Sequence, residues 1–337
     1  MKRILLRVSL SLLALLFISV SGCQWSQSGS IGGSAPIFVK IYVTNQDDDT
    51  VSVIDGETET VTTTIGVGDG PAGIDANLDS KKIYIANYYA GTVTVVDSTT
   101  DTVLTTIVLA GSDPQMVGIN PATNKIYVAY EYYADEVEII NGVTDTVAST
   151  YGTSDNYPVG IGANISTNKI YVVLWGGSSV DVLNGTTDAF LTNIPLVDSD
   201  EKGGIAVNSV TNRIYVPDMS SVVAVIDGAT DTVMTTVPVG SDPIAAAVNM
   251  DTNRIYVTNN LGNSVSVIDG VSNTVLTTIP VGNAPLGISV SHSKNKVYVV
   301  NRTDGTVSVI DGSTNTVTNT ITVGANPFYV SVLEYQE

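Results

Sequence analysis

The chain has 337 residues, 43% of them hydrophobic and 7% aromatic, with a formal net charge of −19. That is enough apolar material for a large packed core in one or two domains, and the abundance of Val, Ile and Thr favours strands. The acidic balance argues against nucleic acid and anionic membrane surfaces as partners, since both need Lys and Arg to neutralise phosphate.

Residues 1–22 read as a signal peptide. Lys2, Arg3 and Arg7 precede an apolar run from Val8 to Val20, too short for a comfortable membrane span. The run ends in "VSGC", which resembles a bacterial lipobox. The resemblance implies cleavage before Cys23, the only cysteine, and its lipid modification. A lone cysteine has no internal disulfide partner, and acyl chains on it would anchor the protein without spanning the membrane. Residues 23–36 follow as a flexible Ser/Gly tether. Any contact with the membrane is expected through this anchor alone.

From residue 37 to 337 the chain repeats itself. The pair Ile/Val-Tyr recurs at Ile41, Ile83, Ile126, Ile170, Ile214, Ile255 and Val297, a period in the low forties. Each unit holds four short β-branched runs separated by turn signals; the Asp-Gly of "DGVSN" marks a hairpin. Pro71, Pro114, Pro158, Pro243, Pro285 and Pro327 each open the same run, a position where a missing N–H does little harm. Four strands at this period describe a propeller blade. The first unit lacks the Pro-initiated run, and "PFYVSVL" at 327–333 supplies one at the C-terminus. The expected fold is therefore all-β: a seven-bladed propeller with four-stranded blades. Labelling strands A to D from the axis outward, strands B, C and D of blade one come from the N-terminus and strand A from the C-terminus. Such closure leaves no open edge between the first and last blades.

The runs "IYVTN", "TVSVIDG", "TVLTTIPVG" and "PLGISV" resemble the YVTN-family β-propeller repeats of microbial surface and surface-layer proteins, over residues 36–337. The resemblance implies the propeller fold and an envelope setting. It leaves function open, because a fold hosts many functions.

Strand order assigns every loop to one of two faces. The B–C loops and D–A crossovers share the top. There Asp47, Asp48, Asp49, Asp69, Asp113, Asp135, Glu136, Asp155, Asp218, Asp242 and Asp304, with Glu131 and the acids of 198–201, face only Lys202 and Arg302. The bottom turns carry acids together with Lys40, Lys81, Lys82, Lys125, Lys169, Arg213, Arg254, Lys294 and Lys296. Asp and Asn are also good turn residues, but turn chemistry does not explain so few bases on top.

Seven of the sixteen tyrosines belong to the repeat and are expected to pack between blades. Most of the others cluster. Tyr88 and Tyr89 fall in the B–C loop of blade two, Tyr130, Tyr132 and Tyr133 in that of blade three, Trp175 in that of blade four, and Tyr157 in the crossover between blades three and four. With Glu131 and Asp135 they form the candidate ligand-binding set. Rings flanked by carboxylates suit saccharide stacking or a cationic peptide; the alternative is a long loop packed on itself. Asp75 is the only charge in an inner strand and is expected to face channel water. With Asp69, Asp113 and Asp242 it forms the candidate cation set.

The expectation is a non-enzymatic binding or scaffold module for a surface glycan or protein. Catalytic signals are sparse. His292 is the only histidine and there is no G-x-S-x-G. No His/Cys cluster offers a zinc or haem site, so no cofactor is expected beyond a possible divalent cation. Propellers of this kind include lactonases and lyases. A metal-dependent enzyme at the top mouth and a structural envelope component are therefore the alternatives.

Overall fold

A computed structural model describes residues 37–130, 135–196 and 203–336. Cys23, the tether, Glu131, Tyr132 and Tyr133 lie outside the described residues. Residues 36–337 form one compact unit, and its strands assemble into seven four-stranded antiparallel sheets. Blade one is Pro327–Gln336, Ile37–Asn45, Thr50–Asp55 and Thr60–Gly66, in that order from the axis. The six others run in sequence order: 71–108, 114–152, 158–195, 206–238, 243–280 and 285–322. The seven-bladed ring closed by both termini is thus confirmed. Ile41, Tyr42 and Val43 pair with Val332, Ser331 and Val330.

The core lies between the blades. Strands B and C are buried almost throughout, while the outer strands D are mostly exposed. The repeat tyrosines Tyr42, Tyr84, Tyr127, Tyr171, Tyr215, Tyr256 and Tyr298 are all fully buried, as their spacing implied. Four of them reach the next blade: the hydroxyl of Tyr42 donates to Asp101 (2.8 Å), Tyr84 to Asp145 (2.9 Å), Tyr127 to Asp188 (2.8 Å) and Tyr171 to Asp231 (3.3 Å). The second carboxylate oxygen of each Asp pairs with Lys40, Lys82, Lys125 or Lys169 at 2.6–2.8 Å. These aspartates sit in C–D turns at φ of 52–59°, a region Asp and Asn tolerate. Where the turn residue becomes Asn273 or Asn315, the base becomes Arg and stays within its own blade, Arg213 on Asp227 and Arg254 on Asp269. The bottom-face bases are thus largely inter-blade staples.

At the hub, the inner strands approach closely. A Cβ on Gly73 would lie 2.4 Å from the Gln115 carbonyl, and one on Gly118 2.6 Å from Ile161. Blade five differs: its inner strand is only Ala206–Asn208, preceded by Gly203 and Gly204, and its sequence has Lys202 where the inner strands of the other blades begin with proline. Tyr329 of blade one fills that gap from across the hub, its hydroxyl 3.6 Å from where a Gly204 Cβ would be. Burial pushes that hydroxyl up to about 12.

Asp75 stands part-buried at the hub. Its carboxylate accepts the Ala76 N–H (2.8 Å) and, across the blade boundary, the Ile119 N–H (3.0 Å), so it clamps two inner strands beside a cavity of about 170 Å³. Burial pushes it up to about 6, against the two hydrogen bonds, which act to lower it. Its folded-state value exceeds that of the unfolded chain. Its contribution to stability is therefore full below about pH 4 and lost as pH rises through about 6. The stability of wild type minus that of Asp75→Ala is expected to fall by about 2 kcal/mol between those limits. Urea unfolding across the range measures it; a flat difference would refute the assignment.

Candidate functional site

The top face is built from loops that the strands deliver in pairs. In blades one, two, six and seven, strand B ends in Asn45, Asn87, Asn259 or Asn301. Each amide donates to two hydroxyls of strand C, for example Asn87 to Thr92 and Thr94 at 2.9 Å. In blades one and seven the amide oxygen also accepts an N–H of the incoming crossover, Gly324 to Asn45 at 3.0 Å and Gly282 to Asn301 at 3.1 Å.

Blades three and four abandon this device. Their crossovers are one residue longer: 107–114 and 151–158 against 65–71 in blade two. Buried carboxylates receive the N–H groups of these longer loops. Glu138, at the position of Thr94, accepts Ala110 N–H (2.7 Å) and Gly111 N–H (3.0 Å). Asp181 accepts Ser154 N–H (2.8 Å), Ser154 Oγ (2.5 Å), Tyr151 Oη (2.8 Å) and Asn193 Nδ2 (2.9 Å). Both acids are fully buried. Sequence reading missed them, although the signal was present: an acid stands where the repeat has Ser or Thr.

The same substitution corrects Tyr130. It replaces the blade's Asn, is fully buried, and packs beneath the crossover at Gly111. Burial and then the neighbouring Glu138 raise its hydroxyl pKa. It supports the loop from below and presents no ring to solvent.

The other described aromatics do reach the surface. Tyr88 and Tyr89 meet edge-on, centroids 5.2 Å apart, with Tyr89 63% exposed over Gly70. Tyr157 and Trp175 pack at 6.0 Å, half-buried, and the Trp175 N–H donates to the Tyr157 carbonyl (2.9 Å). Tyr157 holds φ at +59°. Other blades put Gly70, Asp113, Asp242, Ala284 or Asn326 at this turn position. For a bulky aromatic this backbone is strained by about 1 kcal/mol. Asp135 is exposed, and reversing the Asn156 amide brings both Asp135 carboxylate oxygens within 3.2 Å of its nitrogen.

The candidate cation residues do not converge. Asp69, Asp113 and Asp242 stand in three separate crossovers and Asp75 in the hub. Burial raises Asp242. Among the described residues no three His, Cys, Asp or Glu side chains are grouped to hold a metal. Arg302, the top-face base within the described residues, lies 5.3 Å over the Phe328 ring of blade one, outside blades two to four.

Solved propellers share this architecture. The fold is similar to a chain of hydrazine synthase from Kuenenia stuttgartiensis (17% identity, 86% of this chain and 99% of that one, TM-score 0.74). It is also similar to apo AztD from Citrobacter koseri (13%, 89% and 98%, 0.70), and to a functionally unknown protein from Desulfotomaculum acetoxidans (12%, 87% and 98%, 0.76). Identities this low carry the fold alone. No curated protein matches the sequence. The YNCE-like beta-propeller profile matches residues 6–175, which is half of the 337-residue chain, and the repeats agree with a propeller of YVTN type; the protein belongs to the YNCE-like beta-propeller family.

Proposed function

We propose that this propeller is an envelope-anchored binding module. Its top face in blades two to four takes a glycan or a protein partner, with Tyr88, Tyr89, Tyr157 and Trp175 as ring contacts and Asp135 at their margin. Tyr132, Tyr133 and Glu131 belong to the same loop sector by sequence. One observation carries the reading. Tyr157 keeps a large aromatic in a left-handed backbone position that the rest of the chain fills mainly with Gly, Asn or Asp, a strain that needs a reason outside the loop. The replaced support beneath these loops, Glu138 and Asp181, favours the same sector.

Anchoring through Cys23 fits the topology. Ile37 begins strand B of blade one at the bottom face. A tether ahead of it joins the propeller on the face opposite the aromatic sector.

The test is equilibrium binding of the 36–337 unit to cell-surface polysaccharides and cationic peptides. Tyr157→Asn is expected to weaken binding at least about tenfold, a typical anchor-residue loss. It should leave unfolding free energy within about 1 kcal/mol, because relief of strain offsets the lost ring contact. On whole cells, Cys23→Ser should remove the binding from the surface. Unchanged affinity with a stability loss of about 3 kcal/mol would make Tyr157 a loop-packing residue instead.

A further inference from the structure

The inner strands carry one polar arc. Ser289 of blade seven, Ser331 of blade one and Asp75 of blade two each stand four residues after the proline that opens their strand. These three blades are consecutive around the ring, their inner strands in contact. The same position in blades three, four and six is Gly118, Gly162 or Ala247. The three polar side chains, together with Tyr329, line the hub cavity of about 170 Å³. Ile74, Met116, Ile161, Ile205 and Ile288 supply its apolar wall.

The protein does not use up these polar groups. Each Asp75 oxygen accepts a single N–H, and a carboxylate oxygen has room for a second donor. Among the described residues, the hydroxyls of Ser289, Ser331 and Tyr329 have no hydrogen-bond partner, and burial alone raises the Tyr329 hydroxyl. No Lys, Arg or His is found among the described residues of the wall. Burial pushes Asp75 up to about 6. At neutral pH it therefore carries its charge in a confined space with no counter-ion, a costly state unless the occupant brings the opposite charge.

We propose that the hub cavity binds a small organic cation, a primary alkylammonium whose N–H groups meet Asp75, Ser289, Ser331 and Tyr329 and whose chain lies against the isoleucine wall. The carboxylate selects the sign of the ligand, and the wall selects its kind. Ca²⁺ takes about six to eight oxygens and Mg²⁺ keeps most of its waters. Here one carboxylate and three hydroxyls face aliphatic carbon, which suits a charged head on a short apolar chain. An ammonium donates three N–H bonds and accepts none, the complement of a cavity that offers acceptors. The site lies in the hub and not among the top-face loops, so it is separate from the aromatic sector.

Chemical-shift titration of the 36–337 unit with n-propylammonium, followed on isoleucine methyl groups, is the test. A dissociation constant of about 0.1–5 mM is expected, within the ceiling for so few heavy atoms. 1-Propanol, the same chain without the charge, should bind at least about tenfold more weakly, and neither K⁺ nor Ca²⁺ should displace the amine. Asp75→Asn should weaken the amine about ten- to hundredfold, the range for a hydrogen bond to a charged group. Ser289→Ala/Ser331→Ala leaves the Asp75 clamp in place and should weaken it about tenfold with an unchanged melting curve. Tyr89→Ala/Trp175→Ala strips rings from the top face and should leave amine affinity intact. Absence of binding, equal affinity for 1-propanol, displacement by either inorganic ion, undiminished affinity in Ser289→Ala/Ser331→Ala, or loss of affinity in Tyr89→Ala/Trp175→Ala would each overturn the proposal. Failure of the top face to bind a glycan or protein would leave the hub site standing.

Discussion

Deleting residues 327–337 is expected to abolish cooperative folding of the propeller, and the same segment supplied as a separate peptide to restore it. Strand Pro327–Gln336 is the inner strand of blade one and pairs with Ile37–Asn45 along nearly its whole length. Without it, the most buried stretch of the N-terminal strand becomes an open edge. Val330 leaves the core shared by blades seven and one, and Leu333 the core shared by blades one and two. The hub loses Tyr329, whose backbone is tied to Thr44 Oγ1 in both directions, N–H donating at 3.0 Å and carbonyl accepting at 3.3 Å. Two large buried aliphatic side chains lost outright cost about 2–5 kcal/mol each. That is comparable to the entire stability of an ordinary domain before the strand hydrogen bonds are considered. Near-UV circular dichroism and thermal melting give the readout. A truncated chain that melts cooperatively within about 5 °C of the parent would show that blade one closes without its inner strand.

The architecture was legible because its signals are local and repeated. A strand-length run, an Asp-Gly turn and a proline recur together, and counting them fixes blade number, strand order and closure. The burial of the repeat tyrosines followed from the same period. Two other features were not legible, because what decides them lies on a different strand. Whether Tyr130 points up or down depends on Glu138 of the next strand, which pairs with Val128 two residues before it, and on the extra residue at the Gly111 crossover. Read as one of several loop tyrosines it looked exposed. Asp75 acts on Ile119, 44 residues away in the neighbouring inner strand; the repeat period sets those two strands side by side but does not say which way the carboxylate turns. The inter-blade staples have the same character: Lys40 and Asp101 looked like separate surface charges until the ring placed one blade's turn under the next blade's strand. The aromatic sector was readable as a departure from the repeat, and Tyr89, Tyr157 and Trp175 kept their expected places. The strain at Tyr157 is a backbone fact, invisible until φ is known.

Asp181→Ala is expected to destabilise the propeller by about 3–5 kcal/mol, because each buried donor left without a partner costs about 1–3 kcal/mol. Four donors converge on this carboxylate from three elements: Ser154 of the crossover through both N–H and hydroxyl, Tyr151 of blade three, and Asn193 of the outer strand. Their loss is not cushioned locally, since blade four has Leu174 where four other blades carry the amide that would otherwise hold the crossover. Asp181→Ser alone, although it installs the residue found at 52, 266 and 308, should therefore cost nearly as much. The triple variant Tyr151→Ile/Leu174→Asn/Asp181→Ser rebuilds the device of the other blades, removes the orphaned phenol, and should recover most of the loss. The gap between the triple variant and the sum of its parts is a coupling energy of roughly 2–3 kcal/mol, large because the three side chains act as one unit. Chemical unfolding of the single and triple variants measures it. Additive losses would mean that Asp181 is an independent buried charge and that the crossover is held by something else. Recovery of stability accompanied by loss of partner binding would show that blade four exchanged a standard loop support for one that sets Tyr157 and Trp175 at the surface.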